Sequence, residues 1–349
     1  MARARSRSPW SRCWPARPSP PRPRPLPGSP PTRPAPVTPR ACAPRWRPWA
    51  EPPGRSDRCG RRGPLSAAVP ATRCDHAPVR HLRLSAPDGV RYRPDEPSGV
   101  GVLALAGSSG RVDGERARVL AEQGALSESI RWFGGPGQSP GPWDVPVELF
   151  LERVEELRRE CDRVVVCGTS FGAEAALLTG AFSSSVDAVA AFAPSDVVWS
   201  GVTPDGRSAS HWTFDGRPLP CVALSASWRP DRDPPRFTEL YRQSYGAAGK
   251  ETIAAATIPV ERVPEVVLVA GGDDRVWPSQ EHAARVVARR QRHGLSTVVV
   301  RDDEAGHRTI LPGERPVVGG ARMERGGSEA ADRRLGAAAW SHLLRLIGR

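Results

Sequence analysis

The residues with the clearest chemical potential are Gly168-Thr169-Ser170-Phe171-Gly172, which directly follow the apolar run Val164-Val165-Val166-Cys167. A serine hydroxyl is a weak nucleophile until a base takes its proton, so it must be held out at a tight turn with an imidazole in reach. A G-x-S-x-G turn between a buried strand and a helix meets the first need. Its glycines stand where side chains would clash, and the helix start favours the oxyanion that attack creates. The pattern occurs a second time, as Gly137-Gln138-Ser139-Pro140-Gly141, and there it fails on physics. The residue after the nucleophile must donate its N–H to the oxyanion, and Pro140 has none; nor does a strand precede Ser139. Ser139 is read as loop and Ser170 as the nucleophile.

The acid that orients the base is expected on the loop after a later strand, and Val266-Val-Leu-Val-Ala270 runs into Gly271-Gly272-Asp273-Asp274-Arg275. Asp274 is preferred over Asp273, with Asp196 a weaker rival after the strand that ends at Phe192. The base should follow the last strand, and Thr297-Val-Val-Val300 leads to Glu304-Ala305-Gly306-His307. His282 and His293 fall on or at the end of a predicted helix, His342 lies on the closing helix, and His76, His81 and His211 lack the strand context. In this arrangement His307 takes the proton of Ser170, Asp274 holds the imidazolium, and Ser170 attacks a carbonyl to give an acyl-enzyme. The oxyanion then needs two N–H donors: Phe171 supplies one, and the loop around Ser108 or Ser109 can supply the other.

The elements that must position these residues alternate. Strands are predicted at Gly99–Ala106, Leu126–Trp132, Arg163–Cys167, Val186–Phe192, Glu265–Ala270 and Ser296–Arg301. Helices are predicted over Glu115–Glu122, from Pro146 to about Arg159, and over Phe171–Thr179, Ser279–Gln291 and Ala330–Ile347. Continuous apolar runs such as Val100–Ala106 mark strands buried on both faces, and alternation with helices implies a doubly wound, mostly parallel sheet. The fold class is α/β, and the chain order Ser, acid, His is that of the α/β-hydrolase fold. Residues 199–261 are less regular and are expected to form a lid or excursion over the sheet edge. Trp199, Trp212 and Trp277 are read as core before acyl-pocket wall.

Composition bounds the rest. The chain has 349 residues and a formal net charge of +12. Residues 1–80 hold 17 arginines against Glu51, Asp57 and Asp75, so the positive charge belongs to them and residues 81–349 are near neutral. The same stretch holds 20 of the 39 prolines, which cannot sustain a helix or a central strand. It is expected to be a disordered Pro/Arg-rich tail, or upstream GC-rich sequence read through from a start placed too early. Lys250 is the only lysine, as GC-rich coding favours, and no Met lies between Met1 and Met323; a start near Val79 would need another codon. The folded part is then residues 81–349. A nucleic-acid role would rest on this stretch alone, through its arginines with Trp10, Trp14, Trp46 and Trp49, and is not adopted. Cys161, Cys167 and Cys221 are widely spaced, without a metal-ligand pattern or a disulfide framework, which suits a cytoplasmic protein. No apolar run is long enough to span a membrane.

At these residues the chain resembles the C-terminal catalytic domain of the bile acid-CoA:amino acid N-acyltransferase and acyl-CoA thioesterase family, over roughly residues 99 to 349. The likeness lies in Gly107-Ser-Ser-Gly110, the Gly-x-Ser-x-Gly-Ala-Glu run through Glu174, Ala193-Pro-Ser-Asp-Val-Val-Trp-Ser-Gly201, His211 to Pro220, Asp273 to Ser279 and Ala305-Gly-His307. The resemblance implies a triad on Ser170, Asp274 and His307, and cleavage of an acyl-CoA thioester or acyl transfer to an amine. Three departures stand out. Residues 1–98 do not supply the β-sandwich that active members carry, Phe171 stands where the family often has Lys, and Ser170 stands where the transferase branch has Cys. The expectation is a serine hydrolase of acyl thioesters, acting on a small-molecule acyl-CoA or ester without metal or redox cofactor. An amine acyltransferase, a general carboxylesterase and a non-catalytic protein of this fold are the alternatives, and the sequence does not set an oligomeric state.

Overall fold

The computed structural model describes residues 79–317, 319 and 321–348. The expected Pro/Arg-rich tail therefore lies outside the described residues, apart from Val79 and Arg80, which open the first strand.

Eight strands form the main sheet: β1 (Val79–Ser85), β2 (Asp88–Pro94), β3 (Val100–Leu105), β4 (Leu126–Ile130), β5 (Arg163–Thr169), β6 (Ala188–Phe192), β7 (Glu265–Gly271) and β8 (Val298–Asp302). Their order across the sheet is β1-β2-β4-β3-β5-β6-β7-β8. Pairing is parallel from β4 through β3 to β8, and β1 and β2 join antiparallel at one edge. Among the described residues seven α-helices accompany it: α1 (Gly114–Ala121), α2 (Glu148–Arg158), α3 (Phe171–Phe182), α4 (Thr238–Ala247), α5 (Lys250–Ala256), α6 (Ser279–Arg292) and α7 (Glu329–Leu346). This is the α/β-hydrolase fold.

Successive side chains of a strand point to opposite faces, and here each face meets its own core. Leu103, Leu105, Val164, Val166, Val189 and Leu268 pack with residues of α2, α3 and α6, whereas Val102, Ala104, Val165, Ala190, Val267 and Val269 pack with residues of α1 and α7. Burial on both sides is why these strands read as unbroken apolar runs.

Three regions differ from the sequence expectation. The β1–β2 hairpin was not expected; β1 is an edge strand with Leu82 48% exposed, so no apolar run marks it. Pro146 does not start a helix. Val145–Pro146 is instead a short strand pairing with Trp212–Thr213, and α2 begins at Glu148. Residues 199–261 hold short strands at Ser200–Val202, Ser208–Ser210, Trp212–Phe214 and Arg217–Pro218, followed by α4 and α5. Trp199, Val222, Tyr241 and Ala256 from this excursion cluster with Trp277, and Phe171 packs against them. Trp199, Trp212 and Trp277 are all fully buried core residues.

Candidate active site

Ser170 occupies the turn between β5 and α3 with φ 61° and ψ −123°. A non-glycine residue there costs of order 1–3 kcal/mol and persists only where its surroundings enforce it. The enforcement is visible at both flanking glycines. A Cβ on Gly168 would stand 2.0 Å from the Gly172 carbonyl oxygen, and one on Gly172 would stand 2.3 Å from the Ala106 carbonyl oxygen. The first turn of α3 therefore lies directly on the end of β3. The Ser170 carbonyl accepts hydrogen bonds from Ala173 (2.8 Å) and Glu174 (3.1 Å), while Phe171 at the helix start has no intrahelical acceptor for its N–H.

The turn after β3 meets the same point. A Cβ on Gly107 would lie 3.1 Å from the Ser170 Cβ and 3.7 Å from its Oγ, so this turn lies against the serine. Gly110 N–H donates to the Gly107 carbonyl (2.9 Å), and Trp132 N–H donates to the Gly110 carbonyl (3.2 Å). The turn is thus pinned at one end, with Ser108 exposed and Ser109 half-buried between. Ser139, by contrast, lies in a loop and donates its hydroxyl to the Asp144 carbonyl at 3.1 Å.

Asp274 and His307 are brought together. His307 Nδ1 lies 2.8 Å from Asp274 Oδ2 and 3.0 Å from Oδ1, and both residues are buried. Asp274 is held in turn by the N–H groups of Val276 (2.9 Å) and Trp277 (3.2 Å) and by the Ser279 hydroxyl. With Nδ1 on the carboxylate, Nε2 is the nitrogen left for a serine. Asp273 turns elsewhere: its carboxylate accepts from Arg275 Nε and Gly327 N–H, each at 2.8 Å. Partial burial raises the Asp273 carboxyl, but those donors take it below the usual carboxylate range. Asp196 belongs to another pair, accepting from His282 on α6 and from Arg285.

Among the described residues no hydrogen bond joins Ser170 to His307; such contacts are often loose without substrate. A buried arginine nevertheless links their two segments. Arg116 of α1 donates to Thr169 Oγ1 (2.7 Å), beside the serine, and to the Thr309 carbonyl (2.9 Å), two residues past the histidine. Its charge is met by Glu314 at 3.1 Å.

Two further carboxylates support the site. Glu174, fully buried in the first turn of α3, accepts from Trp212 Nε1 (2.6 Å) and Trp199 N–H (3.1 Å), and His211 Nδ1 lies 3.3 Å away. The His211 ring lies 4.0 Å from the Phe171 ring at a tilt of 48°, so the excursion packs onto the residue that follows Ser170. Asp332 of α7 accepts from Gly306 N–H at 2.7 Å and so holds the loop that presents His307. Neither Arg116 nor Asp332 was picked out from sequence, because each partners residues that no local pattern connects to it.

Asp332 makes a pH dependence testable. Burial raises its pKa to about 6, outweighing the Gly306 N–H that favours the charged form. Because the folded value lies above the unfolded one, its stability contribution is full below about pH 4 and is lost as pH rises through about 6. Asp332→Asn keeps the acceptor for Gly306 without the charge. Urea unfolding should find the variant more stable than wild type by roughly 1–2 kcal/mol at pH 8, with the difference vanishing near pH 4. An equal difference at both pH values would place the effect elsewhere.

The sequence model of the BAAT / acyl-CoA thioester hydrolase C-terminal family matches residues 145–324, just over half of the chain. The chain belongs to this family. The match is narrower than the resemblance over residues 99–349, and it takes in Ser170, Asp274 and His307. Membership in a thioester hydrolase family on an α/β-hydrolase fold makes the chain an ester- or thioester-hydrolysing enzyme. No curated protein matches the sequence. Among solved structures, a Klebsiella pneumoniae protein named as a dienelactone hydrolase is 14% identical, covering 78% of this chain and 99% of its own, with a TM-score of 0.48. Carboxyl esterase 2 from the mycorrhizal fungus Tuber melanosporum is 12% identical, with coverage of 80% and 87% and a TM-score of 0.40. The esterase domain of a Rhodothermus marinus protein is 12% identical, with coverage of 78% and 100% and a TM-score of 0.41. At these scores they carry no argument about the chemistry of this BAAT-family chain. Among its described residues no helix is long and apolar enough to cross a membrane.

Proposed function

We propose that this chain is a serine acyl-thioester hydrolase, acyl-CoA thioesterase-like, working through Ser170, His307 and Asp274. The observation that carries the reading is the strained Ser170 backbone between two obligatory glycines, in a chain where His307 is already paired to Asp274. His307 Nε2 takes the Ser170 proton as Oγ attacks the thioester carbonyl. The oxyanion is met by the Phe171 N–H and by an N–H of the Ser108–Ser109 turn. Collapse expels the thiolate, which takes the proton from His307 and leaves an acyl ester on Ser170. Water, deprotonated by His307, then attacks this ester, and the acid departs as Ser170 regains its proton.

Phe171, packed 5.6 Å from Trp277, gives the acyl chain an apolar surface beside the nucleophile, with residues 199–261 as the lid over it. Serine at position 170 favours water over an amine as the acceptor. Cys161, Cys167 and Cys221 are free thiols, which suits the cytoplasm.

The test is hydrolysis of a panel of acyl-CoA thioesters and p-nitrophenyl esters by the full chain, with and without glycine as acceptor. Thiol release in water with a chain-length optimum is expected. Release of p-nitrophenol alone would make this a general esterase, amide product with glycine would make it a transferase, and no turnover of any kind would remove the reading.

A further inference from the structure

Ser170 and His307 stand on segments that follow different strands, β5 for the serine and β8 for the histidine. A general base must come within hydrogen-bond reach of the proton it takes. A misplacement of about 1 Å can cost about 100-fold in rate. The separation of these two segments is therefore a catalytic variable, and the fold has to set it.

Arg116 of α1, only 4% exposed, meets both segments with one guanidinium. Its Nη1 donates to Thr169 Oγ1 at 2.7 Å, and its Nη2 donates to the Thr309 carbonyl at 2.9 Å. The guanidinium carbon also lies 4.3 Å from the centroid of the Phe192 ring. Phe192 pairs with Thr169 across β5 and β6, and its carbonyl accepts the Ser170 N–H at 2.9 Å. The fork thus touches the surroundings of the serine at two points and the histidine loop at a third. Among the described residues no other side chain hydrogen-bonds to both segments.

Charge neutralisation alone does not call for this arrangement. Nε and Nη2 of Arg116 each lie 3.1 Å from a Glu314 oxygen, so that carboxylate already answers the charge bidentately. Glu314 is on the same loop as Thr309 and is itself held by the Leu311 N–H at 2.8 Å. Burial opposes the charge on Arg116, but Glu314 and then Asp113 keep the guanidinium above its ordinary range. The bonds to Thr169 and Thr309 are additional, and they are the ones that tie the two segments. A lysine ammonium would serve the ion pair but lacks the planar fork that spans both threonines.

We infer that Arg116 is a positioning residue for the Ser170–His307 pair, holding the serine turn and the histidine loop at the separation that proton transfer needs. The inference rests on the proposed triad and assigns it a support that is not one of its members.

Thr169→Val is the decisive variant. It removes the hydrogen bond at the serine end and keeps the side-chain shape, the Arg116–Glu314 pair and the Thr309 contact. Steady-state hydrolysis of the best ester or thioester should lose about tenfold in kcat, with KM within about twofold and the protein folded at the assay temperature. Arg116→Gln should lose about 100-fold in kcat per folded molecule, and Arg116→Lys should recover part of that loss. Arg315→Gln is the control: Arg315 is 79% exposed where it meets Glu115 of α1, and its loss should leave kcat as it is.

A fluorophosphonate probe reads the pair without turnover, because it phosphonylates Ser170 with loss of fluoride while His307 takes the serine proton. Its rate constant should fall in Thr169→Val by the same factor as kcat. A folded Thr169→Val protein with wild-type kcat and wild-type labelling would overturn the positioning role and keep the hydrolase. Labelling of Ser170 that falls in the variants, in a chain that turns over no ester or thioester, would keep the positioning role and remove the hydrolase reading.

Discussion

Replacing Ser170 or His307 with alanine lowers kcat on whichever ester or thioester is turned over best by roughly 10⁴-fold or more, while Ser139→Ala leaves it unchanged. The contrast follows from geometry. Ser170 sits at a strand-to-helix turn with the Gly107–Gly110 turn against it, whereas Ser139 lies in a loop and spends its hydroxyl on the Asp144 carbonyl. The acid separates in the same way. Asp274→Asn should lose on the order of 10⁴-fold, because the amide no longer holds the right tautomer of His307. Asp273→Asn touches Arg275 and Gly327 and should cost far less. Ser170→Gly adds a sign that a merely structural serine would not give. The substitution relieves a φ of 61°, so the protein should become more stable by about 1 kcal/mol or more while activity disappears. Comparable losses at Ser139 and Ser170 in steady-state assays, or a Ser170→Gly protein that melts earlier than wild type, would sink the assignment.

The parts legible in the sequence share a physical cause. Strands β3, β5, β6 and β7 are enclosed on both faces, so Val100–Leu105 and Val164–Cys167 read as continuous apolar runs, and Ser170, Asp274 and His307 each lie within five residues of a strand end. The β1–β2 hairpin was missed because β1 is largely exposed and mixed with arginine, as in Val79-Arg-His-Leu-Arg-Leu-Ser85. Ala86-Pro87 between its strands, running into Asp88-Gly89, was the usable signal. The supports of the site were illegible for another reason. Arg116 meets Glu314 across a separation of 198 residues, and nothing in either neighbourhood announces the other. Glu174 and His211 were visible only as shared family motif, and the structure supplies their purpose: they clamp the excursion onto Phe171. Choosing Asp274 over Asp273 from spacing alone left both open; the hydrogen bonds of Arg275 and Gly327 show why only one faces the histidine.

Gly168→Ala should be strongly destabilising, costing about 4 kcal/mol or more, a large share of the 5–15 kcal/mol typical of a folded domain. The added Cβ would stand 2.0 Å from the Gly172 carbonyl oxygen and 2.3 Å from its carbonyl carbon. Both are backbone, so no side chain can swing away, and relief requires moving α3 off the end of β5. Gly246→Ala is the matched control. That glycine lies within α4 with nothing inside 4 Å of the added Cβ and no positive φ, so the same methyl should stabilise by roughly 0.5–1 kcal/mol. Thermal and urea melts of the two variants should therefore move in opposite directions. The activity of the surviving Gly168→Ala fraction carries the functional half of the argument. Gly172 in the same turn lies on the Ala106 carbonyl at the end of β3, so a shift of α3 also displaces Ser170, and kcat should fall even under conditions where the protein remains folded. A Gly168→Ala protein with wild-type melting and wild-type kcat would mean that the elbow is not built as described.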